Sequence, residues 1–353
     1  MLFLLVLNAI ARWLAPIQNP KFLEQTLAPG KMPMVFADAQ GTVHLTFGRN
    51  DTLFYATSTN AGASFSQPVV VAVLPNLVSG AKRGPQLAAT ERYAVITAVD
   101  RAGAIFSYRL DRQGGNWQVG KQVNDVPEVA KEGFQGLAVG GDGTFHTAWL
   151  DLRGDHKNKI VGATSRDGGL TWSANRVLYR SPDSTVCECC QVSVAARGQH
   201  VYVQFRNWLQ GSRDLYLLHS ADGGRTYQPA EKLGQGTWKL KGCPMDGGRV
   251  ALTAAARPVT VWQREGRVYQ CEPGQPEQAV ASGRNCTLAV APSGAVLAWE
   301  ERGTLLVKRP GQQPVAIGEG QLPSLAVSGK SVVCVWEKAG RVAVATMRFD
   351  GLN

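Results

Sequence analysis

Ser165-Arg166-Asp167-Gly168-Gly169-Leu170-Thr171-Trp172 returns 55 residues later as Ser220-Ala221-Asp222-Gly223-Gly224-Arg225-Thr226-Tyr227. An earlier copy reads Ser58-Thr59-Asn60-Ala61-Gly62-Ala63-Ser64-Phe65, and a degenerate one runs from Leu110 to Trp117, so the steps are 52, 55 and 55. Each octet has the parts of a tight turn. The Asp or Asn side chain accepts hydrogen bonds from backbone amides, Gly supplies positive φ, and the closing aromatic packs between sheets. Asn60, Asp167 and Asp222 are therefore read as structural residues.

Strand-like segments flank these turns. VHLTFGRNDTLFYATS (43–58), TFHTAWLDLRGDHKNKIVGATS (144–165) and HVYVQFRNWLQGSRDLYLLHS (200–220) share one layout: an apolar strand ending in an aromatic, a polar loop, and a further strand. Shorter units follow in which Trp262, Trp299 and Trp336 stand 37 residues apart, twice running. Phe47, Trp149 and Phe205 hold the same place earlier, and Val99 stands there in the second unit. Period-2 alternation punctuated by Gly, Asn and Asp predicts strands and hairpins. Four short strands repeated every ~40–55 residues predict an all-β propeller in one domain over residues 21–353. The count is seven blades, with six as the alternative. The seventh unit runs out near Phe349, and the segment from Phe22 to Leu27 is expected to supply its missing strand and close the ring.

The octets resemble the Asp box, Ser-x-Asp-x-Gly-x-Thr-Trp, of the bacterial neuraminidase repeats found in sialidases and related propellers. The blade pattern covers most of the chain, although the last three units carry no box. The resemblance implies a sialidase-like fold with the boxes on the face opposite the binding face. It also implies a central pocket in which three arginines hold a carboxylate, a Tyr–Glu pair supplies the nucleophile and an Asp the acid. The family's Phe/Tyr-Arg-Ile-Pro motif is missing from the first unit, and Tyr269 falls within a strand. Arg153, Arg206 and Arg213, with Asp214, are the expected ligand contacts, because two adjacent blades supply them on one face. A planar guanidinium grips a carboxylate through two parallel hydrogen bonds.

Bulk properties narrow the partner. The 353 residues carry a net charge of +10, yet charged residues are only 18% and form no Lys/Arg run, which argues against nucleic acid and leaves room for an acidic glycan. Met1 to Ala15 (MLFLLVLNAIARWLA) holds an apolar core of about ten residues, the size of a signal-peptide core and too short to span a bilayer. Residues 1–20 are accordingly expected to direct export to the periplasm or the extracellular space, leaving no stable membrane span after processing. A monomer is expected. His44 and His146 each precede their strand's aromatic by three residues, which predicts a structural role for both, and His156 beside Asp155 is a loop candidate.

The seven cysteines are unevenly placed. Cys187-Glu188-Cys189-Cys190 precedes the first strand of the fourth blade, Cys243-Pro244-Met245 precedes that of the fifth, and Cys286 holds the matching place in the sixth. Cys271 and Cys334 read as packed core thiols. Two chemistries compete for the first group. In an exported protein disulfides are the default. Adjacent Cys189 and Cys190, with Cα atoms about 3.8 Å apart, are too close for ordinary bridging, so a distant partner such as Cys243 is preferred. Alternatively, Cys187, Cys189, Cys190, Cys243 and Met245 form a soft ligand set for copper or zinc, or a redox centre.

Three functions remain in play: a sialidase-like propeller that binds, and by extension hydrolyses, a carbohydrate at a basic central face; an exported copper-, zinc- or redox-active protein built on the cysteines; and a non-catalytic interaction scaffold.

Overall fold

The computed structural model describes residues 23–349. Residues 1–20, on which the export expectation rests, and Phe22 lie outside that range. Seven antiparallel sheets of four strands follow one another along the chain, so the blade count is seven and not six. Blades one to six span residues 31–73, 86–119, 135–179, 193–232, 249–282 and 284–319. The seventh combines Gln321–Ser328, Ser331–Lys338 and Arg341–Arg348 with the N-terminal strand Leu23–Pro29. Leu23–Pro29 runs antiparallel to Arg341–Arg348, pairing Glu24 with Ala345 and Pro29 with Arg341. The ring is thus closed by a strand from one end of the chain on a blade from the other.

The second strand of each blade is where the sequence signal was strongest. Phe47, Trp149, Phe205, Trp262, Trp299 and Trp336 are all buried, and so is Val99. Phe145–Asp151 is buried at all seven positions rather than at alternate ones. The reason is stacking: neighbouring blades cover both faces of an inner sheet, so a second strand meets no water on either side. The outer strand Val69–Val73 is by contrast largely exposed. The first strands of all seven blades line a central cavity of ≈ 640 Å³, walled by small residues such as Ala37, Ala89, Ala138, Ala195, Ala251, Ala289 and Ala326.

The three octet turns share one hydrogen-bond pattern. Ser165 Oγ donates to Asp167 Oδ1, the amides of Gly169 and Thr171 donate to Ser165 Oγ and Asp167 Oδ1, and Thr171 Oγ1 donates to Asp167 Oδ2. Ser220 and Asp222 repeat it. Asn60 does so through its Oδ1, with Nδ2 donating to Ser64 Oγ. At the Gly169 position φ is +85°, and a Cβ there would lie 2.8 Å from Val95 of the preceding blade, so both conformation and space call for glycine. The turn therefore also locks one blade against the last.

These turns and the buried His146 set the response to acid. Burial would raise the Asp167 carboxyl, but hydrogen bonds from Thr171 and Ser165 outweigh it and hold it below the usual 3.8. Bonds from the Thr226 side chain and amide do the same for Asp222. A carboxylate depressed in the folded state stabilises the fold above its unfolded pKa, and that contribution is lost as pH falls through the folded one. Burial also brings the His146 imidazole down to about 4, so the unfolded chain takes up this proton first, and stability declines as pH drops below 6.5. Both signs agree: the melting temperature is expected to fall from pH 6.5 downward and most steeply below pH 4. An Asp167→Asn/Asp222→Asn variant, copying the Asn of the first turn, should show a shallower fall below pH 4. An unaltered slope by calorimetry would remove the turns from this account.

Candidate functional site

Viewed from the face where the first strands begin, here the upper face, the centre of the ring is crossed by an ion pair. Lys82 Nζ, from the loop leading to blade two, lies 3.3 Å from Asp246 Oδ2 at the start of blade five. Asp246 is buried and also accepts from the Gly248 amide. Arg83 donates through Nε to the Glu132 carbonyl at 2.8 Å and covers the Phe134 ring. Burial raises the Glu132 carboxyl above its ordinary range, and the like charge of Glu188 adds to this; Arg83 and Asn158 oppose it. A carboxyl raised by burial thus sits beside the Arg83 guanidinium on this face.

Blade four contributes the densest cluster. Arg213 Nη1 stands 3.1 Å from Cys187 Sγ and 3.2 Å from Glu188 Oε2, and its guanidinium stacks 4.5 Å from the centre of the Trp208 ring. Trp208 and Trp238 are half-buried, and the Glu188 side chain is 48% exposed, so one edge of the cluster meets solvent. Arg213 is held in place by its own backbone, whose amide donates to the Trp238 carbonyl, while Nε donates to the Leu240 carbonyl.

Of the four expected ligand contacts, only Arg213 has this setting. Arg206 is 1% exposed and donates to three carbonyls: Asp246 at 2.7 Å, Arg213 at 2.6 Å and Gln263 at 2.8 Å. Its fork is filled by backbone from blades four and five, and it staples them together. Arg153 is turned toward the outer strands, bound through Nε and Nη2 to Asp151 and further to Asp125 and Asn175. Asp214 accepts from Thr237 Oγ1 and the Trp238 amide and pairs with Lys232. Sharing a face in sequence order did not make these groups converge, because each found nearer partners. His156 adopts a positive φ of 55° in its loop, and Asp155 beside it pairs with Lys159 and Arg180. His44 is buried between Tyr55 and Asp38.

Below the Arg213 platform lie the cysteines. Cys189 and Cys243 form a disulfide that ties blade four to blade five. Cys187 and Cys190 are buried free thiols with sulfurs 2.9 Å apart, and Cys187 Sγ is 3.9 Å from Cys189 Sγ. Burial alone would raise the Cys187 thiol, but the hydrogen bond from Cys190 and the charge of Arg213 bring it down to about 7. Cys190 is pushed well above its ordinary value by burial and by Cys187 itself. All three sulfurs of the segment lie within 4.8 Å of one another, and Met245 packs against them. With Cys189 and Cys243 bonded to each other, the copper or zinc expectation rests on two thiols and a thioether rather than on four thiolates. Cys286 sits inside the first strand of blade six, not before it, and is buried. Cys271 and Cys334 are buried in strands as expected.

Sequence reading passed over Lys82, Glu132, Trp208 and Trp238. Trp208 was visible as a second aromatic three residues after Phe205, and Trp238 as a lone aromatic in a Gly-rich loop. Lys82 and Glu132 had no signal, since only ring closure brings their loops to the centre.

No protein-family model matches the chain, and no curated protein does. Solved structures do. The Hadza microbial sialidase Hz136 superposes with a TM-score of 0.53 at 13% identity, covering 92% of this chain and 66% of its own. An ulvan lyase of polysaccharide lyase family PL25, bound to -[GlcA(1-4)Rha3S]-, gives 0.54 at 10% identity over 93% and 96%. The SapL1 lectin in complex with alpha methyl fucoside gives 0.52 at 12% identity over 83% and 98%. Likeness at this identity establishes the propeller fold, and function must be argued from the site.

Proposed function

We propose that the upper face binds a carbohydrate, with Trp208 and Trp238 as stacking surfaces and Arg213 and Glu188 as polar anchors. One observation carries this reading: a half-exposed indole backed by a guanidinium that also orients a solvent-facing carboxylate. Sugar rings present C–H faces that stack on indole and hydroxyls that bridge charged groups, so the two kinds of contact suit one ligand. The sialidase, the lyase and the fucose lectin among the structural neighbours are consistent with this class of ligand. The hydrogen-bond pattern of the three turns supports placing the chain with the Asp-box propellers of the sialidase-like superfamily. Sialidase-type turnover is not part of the proposal, because Arg153 and Arg206 are engaged elsewhere and no three-arginine pocket forms from the expected set. An exported protein, directed by residues 1–20, fits a glycan ligand.

The test is a glycan array of neutral, uronic and sialylated oligosaccharides, followed by calorimetry on the best binder. Trp208→Ala is expected to weaken binding at least about tenfold, a loss of ~1.4 kcal/mol. Trp238→Ala should do the same, with the thermal transition retained. An array on which nothing is held at millimolar ligand would replace this reading with that of an interaction scaffold.

A further inference from the structure

We infer that the four cysteines shared by blades four and five are an internal thiol–disulfide exchange centre that delivers a reactive thiol to solvent at Cys243. Four features place the parts in order. Cys187 Sγ lies 3.9 Å from the disulfide sulfur of Cys189 and 2.9 Å from Cys190 Sγ. Arg213 Nη1, 3.1 Å from Cys187 Sγ, favours the thiolate there. Cys187 and Cys190 are shielded from solvent, whereas Cys243 follows exposed Lys241 and Gly242 and is itself exposed. The disulfide between Cys189 and Cys243 is therefore the link between a buried dithiol and the surface.

The exchange balances without an outside reagent. The Cys187 thiolate attacks Cys189 Sγ; a Cys187–Cys189 bond forms as the Cys189–Cys243 bond breaks. The Cys243 sulfur leaves with the electron pair and takes a proton from water, replacing the one Cys187 gave up. A solvated thiolate is a better leaving group than a buried one, which sets the direction of this step. Cys190 then attacks Cys187 Sγ, a Cys187–Cys190 bond forms, the Cys187–Cys189 bond breaks, and the Cys189 thiolate takes the proton lost by Cys190. Two sulfurs are oxidised and two are reduced. The same event unties Cys243 from blade four, three residues after Leu240, whose carbonyl accepts from Arg213. Oxidation state at the centre thus reaches the Arg213 platform.

The experiment uses the full chain, brought to one disulfide by titration with dithiothreitol and checked by intact mass. The folded protein is then treated with N-ethylmaleimide, and its cysteines are mapped by mass spectrometry after digestion. Maleimide reaching the freed Cys243 should draw the exchange forward. The expected product carries maleimide on Cys243 and a disulfide between Cys187 and Cys190. In Cys187→Ala the Cys243 labelling rate should drop about 100-fold, because the attacking sulfur is gone. In Cys190→Ala the reaction should stop at the Cys187–Cys189 bond. Recovery of an intact Cys189–Cys243 disulfide with Cys187 and Cys190 as thiols, or direct labelling of Cys187, overturns the inference. So does Cys243 labelling that proceeds as fast in Cys187→Ala as in the parent.

Discussion

Removing the chain up to Pro29 is expected to lower the melting temperature by roughly 5–10 °C and to leave a protein that self-associates. Leu23–Pro29 is the outermost strand of the last blade, where Glu24 pairs with Lys338, and it bridges to the first blade through Gln25 Nε2, which donates to the Ala63 carbonyl at 2.8 Å. Leu27 and Ala28 pack on the apolar cluster formed by Val35, Leu45 and Val344. Losing about five ladder hydrogen bonds at ~1 kcal/mol each removes on the order of 5 kcal/mol, comparable with the whole stability of many proteins. In a chain of this size each kcal/mol is worth about 1–2 °C of melting temperature. The bared edge of Arg341–Arg348, rich in Val and Ala, is then free to pair with another chain. Scanning calorimetry with size-exclusion chromatography reads both effects. A truncated monomer that melts where the parent does would mean that the ring holds without this strand.

Arg206→Ala should rank among the most damaging single substitutions, costing about 3–5 kcal/mol, since a buried donor set vanishes and three carbonyls lose their partners. The guanidinium also covers the Trp238 ring at 5.3 Å, so some packing is lost with it. Arg206→Lys should recover little, because one ammonium cannot reach carbonyls of Asp246, Arg213 and Gln263 with the spread of a planar fork. Urea unfolding of the two variants measures the loss. If both unfold at the parent's midpoint while glycan binding collapses, Arg206 is a ligand contact after all, as its place in the sequence first suggested. The contrast with Arg213 is physical: the same residue type seven positions away keeps an edge beside exposed Glu188 instead of filling its fork with backbone.

Much of the cysteine chemistry was legible as alternatives and undecided between them. The short Cα separation of Cys189 and Cys190 pointed to a distant partner, and Cys243 is the one the structure joins to Cys189. What the spacing concealed was the second relation, Cys187 against Cys190. Three residues apart in a tight turn, their sulfurs meet only because the backbone between Val186 and Val192 folds inward under Arg213.

By itself the sequence determined the propeller and favoured seven units over the alternative six. Those features rest on local chemistry: alternation, an aromatic at the end of each second strand, and Gly-Asp turns whose hydrogen bonds lie within eight residues. Such signals are complete in a short window and need no partner from elsewhere in the chain. The site was decided by tertiary structure alone. Whether an arginine is a staple, as Arg206 is, or a platform, as Arg213 is, depends on which carbonyls and carboxylates the folded blades bring within hydrogen-bond reach. Lys82 meets Asp246 across 164 positions of sequence for the same reason. Those neighbours are fixed by the angle at which one blade packs on the next, and no window of residues contains that angle.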